Sequence, residues 1–353
     1  MKKSITDETR KRNAQLLNQY RDQVIELEPK YLLQMAHLTT PATVWKYVES
    51  AVTKSSANLV MLDLEDSIPR SNDELLAQGR SNVIRAFNEL DWGSRLRFFR
   101  PRGLELDPGF EDIATIVDAA GSKLDGLIYP KIEDADEVRS IDETLTAIEE
   151  KLGLTRGQIK IEPLIESASA EENVFEIARS SRRLVGLVFG SYDYWASLGL
   201  GGASYRVDHP LIAQARGRIV KAAAAIGVPA IAEMTTNYPT RDKNEEERRA
   251  AMDEFRSDAL LARDFGFAGK WTGIPDQTAA AVEIFQTPDD EIERAIAEAK
   301  QFIEAEAAGR GATMIDGKMA DRATDRLNRN TLKKAFAMGR IDAQLSKELG
   351  LIQ

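Results

Sequence analysis

Short apolar runs alternate along the chain with segments whose apolar residues recur at three- and four-residue steps. The runs Tyr31–Ala36, Asn58–Leu64, Arg95–Arg100, Gly126–Pro130, Ile159–Ile165, Leu184–Phe189, Pro229–Ala232 and Gly266–Lys270 read as strands. Helices are predicted between them. Thr43–Ser50 carries Val44, Tyr47 and Val48 at helical spacing, Glu137–Lys151 repeats Val138, Ile141, Leu145 and Ile148, and Leu211–Ile226 is Ala-rich. Strand-then-helix repetition means parallel βα units. Eight of them close into a (β/α)₈ TIM barrel, with a doubly wound open sheet as the alternative. Residues 30–287 would form this α/β barrel. Residues 1–29 would add an N-terminal helix, Ile5–Glu26. Residues 288–353 would form a helical C-terminal extension, with helices over Pro288–Ala308, Asp316–Gly339 and Asp342–Leu349. Thr235–Arg249 is polar and charge-dense, so it reads as a long loop running into a helix. Gly199-Leu200-Gly201-Gly202 matches no phosphate-binding fingerprint and reads as a turn.

Composition narrows the chemistry. Hydrophobic residues are 43% of the 353 and charged ones 29%, enough for a sizeable core and unlike a disordered chain. With 47 Lys+Arg against 57 Asp+Glu, a net charge of −10 and no basic run, neither nucleic acid nor an anionic membrane is expected as a partner. No stretch approaches the roughly 20 apolar residues of a membrane span. Met1–Glu28 lacks the apolar segment of a secretory signal, so a cytoplasmic protein is expected. The absence of Cys excludes disulfides, thiolate catalysis and Cys-ligated metals. His37 and His209 are the only histidines, too few for a multi-histidine site. Any metal would be held by oxygen, favouring Mg²⁺, Mn²⁺ or Ca²⁺.

Barrel chemistry sits where strands end at their C-terminal side. Asp63-Leu64-Glu65-Asp66 follows the second predicted strand, Arg100-Pro101-Arg102 the third and Pro130-Lys131-Ile132-Glu133 the fourth. Ile165-Glu166-Ser167 follows the fifth and Gly190-Ser191-Tyr192-Asp193 the sixth. Acids and cations would meet at one mouth. Glu166 and Asp193 would end neighbouring strands about 4.8 Å apart, where two carboxylates repel unless a cation lies between them. Each could equally cap the helix after its strand. Asp63, inside an apolar run, pairs or functions; a buried salt bridge to Lys131 or Arg100 is the plain alternative. The Arg100 guanidinium fork suits a substrate carboxylate or an enolate oxygen. Arg102 could share that role or be surface charge. His37, expected at the end of the first strand, is a base or a hydrogen-bonded structural residue. His209, beside Pro210, reads as a helix-start residue.

These residues, in this order, resemble the HpcH/HpaI aldolase/citrate lyase superfamily, in the branch of citrate lyase beta subunit-like proteins and malyl-CoA or citramalyl-CoA lyases. The matching stretches are Met61–Pro69, Tyr129–Glu133, Leu164–Ser167, Val188–Asp193 with Leu198-Gly199, and Ile315–Asp321. The resemblance implies a barrel binding Mg²⁺ (or Mn²⁺) through Glu166 and Asp193, with Glu65 and Asp66 supporting the metal's waters. It puts Arg100 at the substrate-binding arginine, with Lys131, Gly190 and Ser191 also at the substrate. Asp316 would match an acid that a C-terminal segment brings to a site, often a neighbour's, for proton transfer. The implied reaction is aldol- or Claisen-type carbon–carbon cleavage, commonly of a CoA thioester such as a malyl-, citramalyl- or citryl-CoA, in a homotrimer or hexamer. A CoA-independent aldolase of 2-keto or hydroxy acids and a non-catalytic barrel are the alternatives. The chain departs from the family at Arg100-Pro101-Arg102 (usually Arg-x-Asn), at Gly273-Ile274-Pro275 (usually Ile-His-Pro) and at Leu38–Pro41 (usually Gly-x-Arg-Pro). The last two bear on CoA recognition more than on metal chemistry.

Overall fold

The structure is a computed structural model and describes residues 7–352. The chain divides into two compact units, one of residues 1–27 and 34–284, the other of residues 28–33 and 285–353.

The first unit is an eight-stranded closed barrel. Its strands are β1 (Ala36–Pro41), β2 (Leu59–Asp63), β3 (Leu96–Arg100), β4 (Gly126–Tyr129), β5 (Lys160–Ile165), β6 (Leu187–Phe189), β7 (Ala230–Ala232) and β8 (Gly269–Thr272). All neighbours are parallel, and β1 pairs with β8 to close the ring. Strands buried on both faces need apolar side chains on both. Leu59, Val60, Met61 and Leu62 are all fully buried, which is why β2 reads as an unbroken apolar run. Helices follow the strands, with amphipathic segments such as Ala135–Leu152 burying Val138, Ile141 and Leu145.

The eight expected strands are present in the expected order, with the first and the last displaced. The apolar residues Tyr31 and Leu32 belong to a short helical turn, Pro29–Leu32, started by Pro29. The strand itself is Ala36–Pro41, whose His37 and Thr40 are polar yet buried and so broke the apolar signal. His37 therefore sits at the N-terminal end of β1, not at its mouth end. The last strand begins at Gly269 rather than Gly266, because Gly266 (φ 98) caps the preceding helix Glu245–Phe265. The N-terminal helix runs Asp7–Gln23; the start expected at Ile5 lies outside the described residues. The loop after β7 runs to Asn244, which caps the next helix with Glu247 in a capping box.

In the second unit, helices Asp289–Ala307 and Arg322–Ala337 bury Ile292, Ala295, Ala299, Leu332 and Ala335 together. The helix expected from Asp316 starts at Arg322. Before it lies an antiparallel hairpin, β9 (Ala312–Ile315) and β10 (Lys318–Asp321). Its turn, Asp316-Gly317, has positive φ at both residues (47 and 76), the primed turn that Asp-Gly favours. Asp321 then caps the helix by accepting from Ala323 and Thr324. Among the described residues, no helix is long and apolar enough to cross a membrane.

Candidate active site

The C-terminal ends of β2 to β6 surround a pocket of about 480 Å³. Glu65, Lys131, Glu133, Glu166, Ser167 and Asp193 are among its walls. Arg100 stands beneath them as the hub of a charge network. Its Nε donates to Asp63 Oδ1 at 2.6 Å, and its Nη1 lies 2.9 Å from Glu65 Oε2 and 3.3 Å from Asp66 Oδ2. Lys131 Nζ donates to the other Glu65 oxygen. Burial alone would push the Asp63 carboxyl up; the Arg100 charge and hydrogen bond, with donors from Glu65 and Ser67, outweigh it and hold it below the usual range. Burial dominates at Glu65, pushing it up despite Arg100 and Lys131.

Glu166 follows β5, is 4% exposed, and accepts the Lys131 backbone N–H on Oε1 at 2.7 Å. Lys131 holds a left-handed φ of 53 there. Burial, then the like charges of Glu65 and Asp193, push Glu166 well above the usual carboxylate range. Asp193 lies exposed in the first turn of the helix Ser191–Ser197. A buried carboxylate among like charges, with a second carboxylate facing the same pocket, is what a hard divalent cation neutralises. Two carboxylates with room for water and substrate oxygens match Mg²⁺ or Mn²⁺. Among the described residues no group of three or more His, Cys, Asp or Glu is arranged to hold a metal, so the fit is to a cation completed by water or substrate.

Gly190 contributes space. A Cβ there would lie 2.6 Å from Glu166 Cβ and 2.7 Å from Glu166 Oε2, and its N–H is used by the Ile165 carbonyl. The same relation recurs at the other end of the barrel. A Cβ at Gly186 would lie 2.8 Å from Glu162 Oε1. Ser191 Oγ shares a hydrogen bond with Tyr205 Oη at 2.7 Å.

Other candidates go elsewhere. Arg102 is engaged by Asp112, with Nε to Oδ2 at 2.9 Å. His209 caps the helix Pro210–Ile226, its Nδ1 accepting from Leu211 N–H. His37 is fully buried, with Nε2 against Gln34 Oε1 and Nδ1 3.7 Å from Glu162 Oε2. Asp316 sits in the β9–β10 turn of the second unit. Trp271 is a residue the sequence reading missed. Its ring faces the Arg100 guanidinium at 5.4 Å, and its indole N–H donates to Thr39. Placing β8 too early left Trp271 outside the strand, where a lumen-facing aromatic would have drawn notice.

Residues 42–272 match the family model described as HpcH/HpaI aldolase/citrate lyase. The chain is 34% identical over 288 residues to L-malyl-CoA/beta-methylmalyl-CoA lyase of Cereibacter sphaeroides (strain ATCC 17025 / ATH 2.4.3), covering 76% of this chain and 85% of that protein. It is 31% identical over 293 residues to the enzyme of the same name from Rhodobacter capsulatus, covering 78% and 86%. A citrate lyase from Burkholderia xenovorans LB400 superposes with a TM-score of 0.71 at 22% identity, over 92% of this chain and 97% of that one. The Mycobacterium tuberculosis protein CitE, in complex with magnesium, acetoacetate and coenzyme A, does so with a TM-score of 0.60 at 22% identity, over 85% and 97%.

Proposed function

We propose, from the premise that this chain belongs to the HpcH/HpaI aldolase/citrate lyase family and is a carbon–carbon lyase of CoA esters, that it cleaves a malyl-CoA-type hydroxyacyl-CoA with Mg²⁺. The observation that carries the proposal is the buried Glu166 beside Asp193, over the Arg100 network, in one pocket. Glu166 and Asp193 would hold the cation, with Glu65 and Asp66 beside its waters. When bound, a divalent cation supplies a Lewis acid for the carbonyl of the keto-acid half. Arg100 is fixed by Asp63 and Glu65, so its fork is ready for the oxygen that becomes enolate as the C–C bond breaks. Lys131, Gly190 and Ser191 line or shape the substrate's side. Asp316 is the proton donor to the enolate carbon in this reading. It would be carried by its hairpin to a neighbouring copy in a homotrimer or hexamer. The magnesium and coenzyme A of the tuberculosis neighbour support the cofactor and ester assignments.

A second reading, an aldolase of free 2-keto and hydroxy acids, is favoured by one observation. The pocket cations are paired internally, Arg70 with Glu105 and Lys131 with Glu65. One assay decides between them. Protein stripped with EDTA is mixed with malyl-CoA, β-methylmalyl-CoA or the free hydroxy acids, before and after Mg²⁺. Mg²⁺-dependent release of equal acyl-CoA and glyoxylate is expected. Cleavage of free acids alone, or metal-independent cleavage, would overturn the first reading.

A further inference from the structure

Lys131 lies just past the end of β4 and makes two contacts at once in the main pocket. Its backbone N–H donates to Glu166 Oε1 at 2.7 Å. Its ammonium donates to Glu65 Oε1 and lies 3.8 Å from Asp66 Oδ1. Glu65 Oε2 in turn faces Arg100 Nη1 at 2.9 Å. One residue therefore ties the candidate metal ligand to the Arg100 network.

The backbone takes an unfavourable shape to do this. Lys131 has φ 53, and among the described residues only Phe110 and Asp316 share a positive φ without being glycine. The left-handed region crowds the Cβ of any L-residue against the backbone, and glycine is the residue that enters it freely. Asp316 has the short polar side chain and the following glycine that suit such a turn. Lysine has neither compensation. The angle decides where the side chain leaves relative to the N–H. Here the N–H reaches Glu166, after β5, while the side chain runs to Glu65, after β2. Pro130, just ahead, has its own φ fixed by its ring and brings no competing N–H.

The consequence falls on Glu166. With Oε1 taken by the Lys131 N–H, Oε2 is the oxygen left for a cation. Oε2 lies on the β6 side, where a Cβ at Gly190 would come within 2.7 Å of it and where Asp193 opens the next helix. A single fixed donor thus sets which carboxylate oxygen turns toward the second acid.

We propose that Lys131 is a positioning residue for Glu166: its left-handed backbone aims the N–H at Oε1 and leaves Oε2 for the cation, while its ammonium on Glu65 anchors the strained turn. The inference rests on the metal-dependent lyase reading above and deepens it. Lys131 acts on the metal side, through Glu166, rather than by direct contact with the ester.

Three variants separate the backbone from the ammonium. Lys131→Gly removes the side chain and suits the angle. Lys131→Met removes the charge and keeps the Cβ. Lys131→Val removes the charge and adds a β-branch, for which a positive φ is a genuine outlier. Mg²⁺ affinity is read by calorimetry, and the geometry of the site by the EPR spectrum of bound Mn²⁺. Lys131→Gly should bind Mg²⁺ within about threefold of the parent and keep the parental Mn²⁺ spectrum. Lys131→Val, released from Glu65, should leave the left-handed region, lose about tenfold or more in affinity and change the spectrum, with Lys131→Met between the two. Should Lys131→Val not fold, the same order of Lys131→Gly above Lys131→Met is required. Equal Mg²⁺ affinities in all variants, with a shared rise in KM for malyl-CoA, would mean that the ammonium touches the ester and would overturn the proposal. So would a Lys131→Gly protein that loses as much affinity as the others, since the charge and not the backbone would then matter. A parental protein without measurable Mg²⁺ affinity would instead overturn the metal reading itself.

Discussion

Replacing Gly190 by alanine adds one methyl group at the point where β6 passes Glu166. The backbone tolerates alanine, since Gly190 has φ −110. The space does not. The new carbon would meet Glu166 Cβ at 2.6 Å and Oε2 at 2.7 Å. Oε2 can swing away; Cβ moves only with the β5 backbone. Overpacking of this kind costs about 1–3 kcal/mol, a few degrees of Tm. The carboxylate would also be displaced, and misplacement by about 1 Å costs on the order of 100-fold in rate. Gly186→Ala is the matched control. Its clash is with the outer atoms of Glu162, Oε1 at 2.8 Å and Cδ at 3.0 Å, and lies at the opposite end of the barrel. Both variants should melt lower than the parent, Gly190→Ala the more so because its clash includes a Cβ. Only Gly190→Ala should lose Mg²⁺ affinity by calorimetry and lyase activity. If Gly190→Ala binds Mg²⁺ and turns over like the parent while melting lower, Glu166 is not a metal ligand. Equal activity loss in Gly186→Ala would show that general strain explains both.

Four other outcomes are expected. Arg100→Lys should lower kcat/KM at least 100-fold in steady-state assays, because a point charge cannot span Asp63 and Glu65 as the fork does; near-parental kinetics would leave Arg100 a structural role. Trp271→Leu removes the ring facing that fork and should lower kcat more than it raises KM, with a melt within a few degrees of the parent. Mixed Asp316→Asn and Glu166→Gln subunits, each inactive alone, should regain partial activity after subunit exchange; none would rule out a shared site. Burial pushes Glu162 up to about 8, so the fold keeps its proton while the unfolded chain ionises from its ordinary 4.5. Stability is then lost as pH rises between those values, by about 5 kcal/mol at the ceiling. Glu162→Gln should escape that loss, and a parent-to-variant difference flat from about pH 5 to 8.5 would refute it. His37, taken by burial to about 3, acts oppositely, draining stability as pH falls below 6.5.

The barrel was legible because parallel strands buried on both faces leave unbroken apolar runs, as at Leu59–Leu62. Glu65, Lys131, Glu166 and Asp193 were legible too, since each follows such a run directly, and they do share one pocket. β1 was misplaced because its buried polar His37 and Thr40 interrupt the signal while Tyr31 and Leu32 imitate it. The hairpin before the last long helix was read as helix because its strands are short and mostly exposed; only Asp316-Gly317 carried the turn signal. Trp271 matters through the Arg100 guanidinium it faces, a contact no local pattern records.

The Glu166–Gly190 and Glu162–Gly186 contacts have a consequence for inheritance. In each pair an acid on or directly after β5 occupies the volume that a missing side chain leaves beside β6. Neither position can then change alone without damage, so across descendants of this barrel the two should be kept together or lost together. A site transplanted into another barrel by grafting β5 would arrive without its room unless the neighbouring strand travelled with it.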